Sequence, residues 1–341
     1  MTAELDRVQF WSFVGVLPPP YGGVTIFAKR KVFSWRQEGA TVRVVDLSRL
    51  NWLKKIAMFF RLLAQGANTG IYINDLSGFA LAAGWANLRG AKIYFHDHNY
   101  SLEPMRGWRG WLLKRCLARC DCILFDGAHS RNSYVSGGYL SLDKPFSVAP
   151  PFIPPDVQEA PGITENFPDS LRSFLSRHKP VIAGNAFKVV LDEQGRDLYG
   201  IDMTIELLKS LRRAFPDAGV VFAIAVEEKS EYLSALEQRI RDYGLTESFH
   251  IFTGNRELWP LFGMVDVMVR PTTTDGYGIS IAEALLLKTP AVASDVCERP
   301  EGTTLFRCRD QSDFEDKVFE CLRRAEKIKS AGQGSPAGRV C

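Results

Sequence analysis

The run PTTTDGYGISIAEALLLKTPAVASD, Pro271 to Asp295, reads as the end of a strand, a glycine loop, a short helix and the start of a new buried strand. Val265–Val269 (VDVMV), just before it, is a short apolar run of the kind found in a parallel strand covered on both faces. Asp275-Gly276-Tyr277-Gly278 is a turn with two residues free to take a positive φ. Ile279–Leu287 then carries an apolar helical face, and Ala291–Ala293 opens the next strand. A loop at the carboxyl end of a parallel strand, leading into a helix N-terminus, is where open α/β sheets bind ligands. The amides and the dipole of that terminus favour a phosphate.

Two carboxylates bracket the loop. Asp275 precedes the helix and Glu283 lies about one turn inside it, so both can address one ligand. A carboxylate accepts two hydrogen bonds from a vicinal diol, which suits ribose or sugar hydroxyls beside a diphosphate. Taken alone, D-G-x-G also fits an N-capping Asp followed by a solvated Glu.

Outward from this stretch, strands and helices alternate. Val8–Val16 is an apolar first strand running into Pro18-Pro19-Pro20-Tyr21-Gly22-Gly23, with a helix expected over Val24–Glu38. Gly22 and Gly23 let backbone amides approach a ligand at that helix start, or simply make a tight turn. Strands at Thr41–Leu47, Ile71–Asn74, Ala91–Phe95 and Cys122–Phe125 are interleaved with helices at Leu53–Gln65, Phe79–Leu88, Trp108–Arg119 and Ser130–Ser136. This rhythm predicts a parallel, doubly wound sheet. Prolines 150, 151, 154, 155, 161 and 168 then interrupt regular structure and predict a linker over 151–178. The rhythm resumes at Val181–Ala183 and continues through Asp202–Ala214, Gly219–Ala225, Glu231–Tyr243, Phe249–Phe252 and Glu257–Phe262. After the signature, Phe314–Ile328 reads as a helix and Ser330–Cys341 as a frayed tail. The expected domains are therefore 1–150, 179–330 and a tail over 331–341.

His96-Asp97-His98 follows a strand directly, and alternate residues of a strand share a face, so both histidines can meet one ligand. Three readings stand: an active-site histidine, a metal pair lacking an evident third ligand, and hydrogen-bonded structural histidines.

At 341 residues the chain predicts two domains of ordinary size. No apolar run reaches the ~20 residues needed to cross a bilayer, and Met1–Phe10 does not read as a signal peptide. Seven irregularly spaced cysteines suit reduced thiols, which makes the cytoplasm the expected compartment. Residues 1–150 hold 19 Lys and Arg against 10 Asp and Glu; residues 151–341 hold 23 against 29. The net of +9 on the first half suits an anionic headgroup layer or an anionic acceptor, and no nucleic-acid motif accompanies it. Asn51–Leu63 and Met105–Cys120 mix tryptophan with basic residues, which fits either the headgroup zone or an ordinary core-facing helix with a basic outer side.

Asp275, Gly276, Gly278, Glu283, Ala284, Thr289, Pro290, Ala293, Ser294 and Asp295 fall on the pattern E-G-x-G-x-x-x-x-E-A followed by a small-residue turn and P-V-V-A-S-D. The chain thus resembles the retaining GT-B glycosyltransferases of family 4, the glycosyl transferases group 1. Pro300-Glu301-Gly302 continues the pattern, Asp275 stands for the usual Glu, and Lys288 for the usual Gly. The resemblance implies two Rossmann-like domains with an active site in the cleft between them. It implies a UDP- or GDP-sugar donor, a glycan or lipid-linked acceptor in bacterial surface polysaccharide synthesis, no cofactor and no metal. Peripheral contact with the inner face of the cytoplasmic membrane follows from such an acceptor.

By the same resemblance His96 lies beside the anomeric carbon, Asp275 holds donor-sugar hydroxyls and Glu283 binds the ribose diol. Amides of Gly276, Tyr277, Gly278, Gly22 and Gly23 cradle the diphosphate. The leaving phosphate helps deprotonate the acceptor by front-face attack. One departure stands out: the family's G-R and K-G cations are replaced by Gly184-Asn185 and Tyr199-Gly200, leaving Lys188, Arg196 or Arg270 to neutralise the diphosphate. That departure also admits a non-catalytic nucleotide-sugar binder or partner subunit. A nicotinamide oxidoreductase is disfavoured because no G-x-G-x-x-G follows Val8–Val16.

Overall fold

The computed structural model describes residues 8–87, 89–99, 105–141, 143–148, 151–226, 230–254 and 256–333. The chain divides into two compact units, Met1–Ile153 and Pro154–Cys341.

The first unit holds strands β1 (Phe10–Gly15), β2 (Thr41–Asp46), β3 (Thr69–Ile73), β4 (Lys92–Asp97), β5 (Cys122–Phe125) and β6 (Ser147–Val148). Between them run helices α1 (Gly23–Gln37), α2 (Trp52–Leu63), α3 (Gly78–Ala86), α4 (Gly107–Arg119) and α5 (Ala128–Ser136). All strand pairs are parallel, in the order β2-β1-β3-β4-β5-β6. Right-handed crossovers put α1 on one face and α2 to α5 on the other, because the chain reverses its direction across the sheet after β2. The α1 face is filled by aromatics: Trp11 stacks on Trp35 and Phe13 on Tyr72. The opposite face is aliphatic, with Ile71, Ile73, Ile93, Leu113 and Ile123 buried together.

The second unit holds strands β7 (Val181–Ala186), β8 (Gly219–Ile224), β9 (Phe249–Thr253), β10 (Val267–Arg270), β11 (Ala291–Ser294) and β12 (Thr304–Phe306). Its longer helices include α8 (Ile201–Ala214), α9 (Glu231–Asp242), α11 (Ile279–Leu286) and α12 (Gln311–Gln333), with a short α10 at Trp259–Phe262. The parallel order β12-β11-β10-β7-β8-β9 is that of a dinucleotide-binding sheet, with its topological switch point between β7 and β10. Ile205, Leu208 and Leu211 of α8 join Phe314 and Val318 of α12 in the core on one face. Trp259, Ile281 and Ala284 form the core on the other.

The segment 151–178 is not an open linker. It contains helices α6 (Ala160–Glu165) and α7 (Asp169–Arg177), and Phe167, Leu171 and Phe174 are buried in the second unit's core. Pro161 lies at the first turn of α6 and Pro168 directly before α7, where a missing N–H costs nothing, so these prolines start helices instead of breaking them. The tail expected from Ser330 begins inside α12, and residues 334–341 lie outside the described residues.

Candidate functional site

Each sheet ends in a polar cluster at the carboxyl ends of its strands. In the first unit, register aligns Tyr72 with Tyr94, and His96 with Leu124. Counting by two along each strand puts Tyr72 and Asn74, His96 and His98, and Asp126 on one face. Their side chains meet there. His96 lies between the Tyr72 hydroxyl (Nδ1, 2.7 Å) and Asp126 (Nε2, 2.9 Å). His98 Nδ1 reaches the same carboxylate at 2.9 Å, and its Nε2 faces Asn74 Oδ1 at 2.7 Å. Phe27 of α1 packs edge-on against His96. Burial, then the neighbouring His98, pushes His96 down to about 4 despite the Asp126 hydrogen bond. His96 is therefore neutral near pH 7, donating from Nε2 and accepting at Nδ1 from Tyr72. The Asn74 Nδ2 beside it is buried with no hydrogen-bond partner among the described residues.

This alters the expectation for His96. The ring is 5 % exposed and both its nitrogens are engaged within the protein, so it contacts a sugar only by giving one of them up. The third partner missing from the His96/His98 pair in the sequence is Asp126, the residue after β5. Asp97, on the opposite face, accepts from the Tyr134 hydroxyl at 2.9 Å.

The Gly22-Gly23 loop starts α1 as expected. The Gly22 amide, however, donates to Thr25 Oγ1 at 3.0 Å, which occupies one of the groups assigned to a phosphate. Beside this loop, Leu17, Pro18, Tyr21, Lys29, Val44, Asp46 and Arg49 line a cavity of about 360 Å³.

In the second unit the signature forms as expected: β10, loop, α11, β11. Gly278 has φ 88° and begins α11, and no side chain caps the helix. A Cβ on Gly278 would lie 2.6 Å from Ile281 Cδ1, so only glycine lets the loop pass there. Tyr277 is half-buried in the loop, and Glu283 is buried on the second turn.

Asp275 differs from its expected role. Arg270 clamps it with Nε on Oδ2 and Nη2 on Oδ1 (3.0 Å), Arg299 Nη1 adds a bond to Oδ2 at 2.6 Å, and the Gly276 amide bonds Oδ1 at 3.1 Å. Four N–H groups fill the lone-pair sites of the carboxylate, leaving no place for a sugar hydroxyl. Burial works against ionisation of Asp275, but Arg270 and then Arg299 hold its carboxyl well below the usual range. Arg299 is itself fixed by Ser294 O (3.1 Å) and Thr272 Oγ1 (3.0 Å), with its side chain 1 % exposed. Arg299 lies in the gap between the two stretches of the sequence pattern, which ends at Asp295 and resumes at Pro300, and nothing in that pattern points to it.

Arg270 makes two further contacts within the second unit. Its Nη1 reaches Asn185 Oδ1 at 3.3 Å across the β7/β10 switch point, and its guanidinium lies 5.8 Å from the Tyr199 ring centroid. It thus sits beside both positions where the resemblance expects a cation, supplied from the neighbouring strand. Arg196 is turned away into an exposed hairpin, paired with Asp192 at 2.8 Å, and Lys188 is half-buried at the hairpin's base. Gly200, at φ 69°, begins α8 directly against the signature: a Cβ there would lie 2.3 Å from the Pro271 carbonyl oxygen.

Residues 191–324 match the family of glycosyl transferases group 1. The lipopolysaccharide glucosyltransferase WaaG of Escherichia coli is 24% identical over 159 residues, 47% of this chain and 40% of that protein. The alignment thus spans less than half the length of the curated relative. Among solved structures, a glycosyltransferase of Rickettsia africae superposes with a TM-score of 0.68 at 10% identity, covering 92% of this chain and 89% of that one. HepE of Anabaena in complex with UDP gives 0.64 at 14% identity, covering 93% and 91%. These likenesses, with the two six-stranded parallel sheets, give the chain the GT-B fold.

Proposed function

We propose that the protein is a retaining glycosyltransferase that moves a sugar from a UDP- or GDP-sugar to a glycan or lipid-linked acceptor in surface polysaccharide synthesis. One observation carries the donor side: at the β7/β10 switch point an arginine, a glycine turn and an uncapped helix start converge within the matched region. The structural neighbour HepE is described with UDP and with UDP-glucose, which supports a uridine nucleotide as the first donor to test.

In this reading Glu283 binds the ribose diol, and the amides at Gly276–Gly278 and the start of α11 meet the diphosphate. Arg270 neutralises the charge that grows on the diphosphate as it leaves. Asp275 and Arg299 act through Arg270, fixing its guanidinium. The acceptor hydroxyl oxygen bonds to the anomeric carbon while the bond from that carbon to the diphosphate oxygen breaks. The acceptor proton passes to a leaving phosphate oxygen, and no metal takes part. The reading places the enzyme in the cytoplasm with its acceptor at the membrane.

Release of UDP or GDP across a panel of sugar nucleotides tests it, with Glu283→Ala as the variant expected to abolish transfer while keeping the fold. A second reading is favoured by the saturation of Asp275 and the turned-away Arg196: a nucleotide-sugar binder without catalysis. Calorimetric binding of a sugar nucleotide with no release of nucleotide under any acceptor would select it.

A further inference from the structure

We infer that His96, His98 and Asp126 form a binding site for a divalent metal ion of the zinc class. Each residue offers one ligand atom, and these atoms lie within 4.8 Å of one another. All three side chains are nine-tenths or more buried. The two histidines are neighbours in the chain, and the parallel pairing of β4 with β5 delivers the carboxylate that completes the set.

Hydrogen bonding alone leaves this cluster one proton short. Asn74 Oδ1, at 2.7 Å, can only accept, so it calls for a proton on His98 Nε2. An imidazole whose single proton is there turns a bare Nδ1 toward Asp126, whose oxygens also only accept, at 2.9 and 3.0 Å. A positive charge between the two relieves that clash. A metal ion supplies it, and a second proton on His98 is the competing occupant. Histidines that hold metals commonly donate their far N–H to an oxygen. Here Tyr72 Oη stands at 2.7 Å from His96 Nδ1, as Asn74 Oδ1 does from His98 Nε2, while both near nitrogens face one carboxylate. Binding shifts the His96 proton from Nε2 to Nδ1, where the Tyr72 oxygen accepts it; without the ion the bonds described above return. A tetrahedral ion with bonds of about 2.0–2.1 Å spaces its ligand atoms about 3.3 Å apart, so each N···O distance has to open by only about 0.4 Å. Two imidazoles and one carboxylate favour zinc, cobalt or nickel over magnesium and calcium, which take oxygen ligands.

All three ligands belong to the first unit, and the transfer chemistry proposed above uses no ion, so the two readings can fail independently. The full-length protein, stripped of metal with EDTA and dialysed, is titrated with cobalt and followed by visible absorption. The wild type is expected to develop the ligand-field bands of a low-coordinate site, bleached by zinc and untouched by magnesium. Zinc should also raise Tm as its concentration rises. Asp126→Asn keeps the size of the side chain, and His98→Phe keeps a ring beside Phe27. Each should weaken cobalt binding by at least about tenfold while retaining the wild-type circular dichroism. Absence of cobalt bands in the wild type overturns the inference and leaves the second proton as the occupant. So does wild-type affinity in either variant, or a thiolate-to-cobalt charge-transfer band, which would assign the ion to cysteines.

Discussion

Both sheets end in a carboxylate clamped by two basic side chains, and the two clamps are built from different chemistry. In the first unit Asp126 holds His96 and His98; in the second Asp275 holds Arg270 and Arg299. Imidazoles can shed their protons, and His96, pushed down to about 4 by burial, is neutral near pH 7. Guanidiniums cannot, so the second is locked as one negative and two positive charges, with a net positive charge beside a helix start. The two clamps stand at different places in their sheets, Asp126 after β5 near one edge and Asp275 after β10 at the central switch point.

The largest effect is expected where the permanent charges are left unpaired. Asp275→Ala removes the acid between two guanidiniums and should destabilise the second unit by about 3–5 kcal/mol in urea unfolding. The matching Asp126→Ala should cost about 1–3 kcal/mol, because its neighbours can neutralise. Equal losses would erase the distinction. Arg270→Ala tests the functional side: transfer from the preferred sugar nucleotide should fall by about 10²–10³ in kcat if the guanidinium stabilises the leaving diphosphate. Arg196→Ala, in the exposed hairpin, should leave the rate near that of the wild type.

The pH response sharpens the comparison further. His96 has its folded value lowered to about 4 from an ordinary 6.5, so the unfolded chain takes up its proton first as pH falls. Stability of the first unit is therefore complete above pH 6.5 and drains away toward pH 4, by up to about 3 kcal/mol. The Asp275 clamp responds at lower pH: its carboxyl is held well below the usual range, so its contribution drains away mainly as the unfolded chain's aspartate takes up its proton near pH 4 and below. Hydrogen exchange followed by unit at pH 7 and pH 5 should show the greater gain in opening in the first, since only His250, lowered by its partial burial, responds in the same way in the second. The smallest effect belongs to Tyr72→Phe, which removes the hydroxyl from His96 Nδ1 and should cost about 1 kcal/mol of thermal stability.

The alternation of elements was legible because each central strand is a short apolar run and helices such as α8 and α9 carry an apolar stripe. The edge strands β6 and β12, two and three residues long, carry too little pattern to read. The site was legible only where the residues are neighbours in the chain. Asp126 lies 28 residues beyond His98, and only the β4/β5 register brings them together. Arg299 is 24 residues beyond Asp275, and nothing local to it says that it folds back on the signature. Period-two counting from the strand ends would have proposed Asp126, since it is the first polar residue after β5. The prolines of 151–178 misled for a physical reason: the same ring that breaks a helix inside suits its first turn.

That last segment has a practical consequence for anyone dissecting the molecule. A fragment beginning at Lys179 would strip Phe167, Leu171 and Phe174 from the layer that includes Trp259 and Ile281, and should come out of cells insoluble. Starting the same fragment at Pro154 keeps that layer covered, and offers a way to measure nucleotide affinity on the second unit alone.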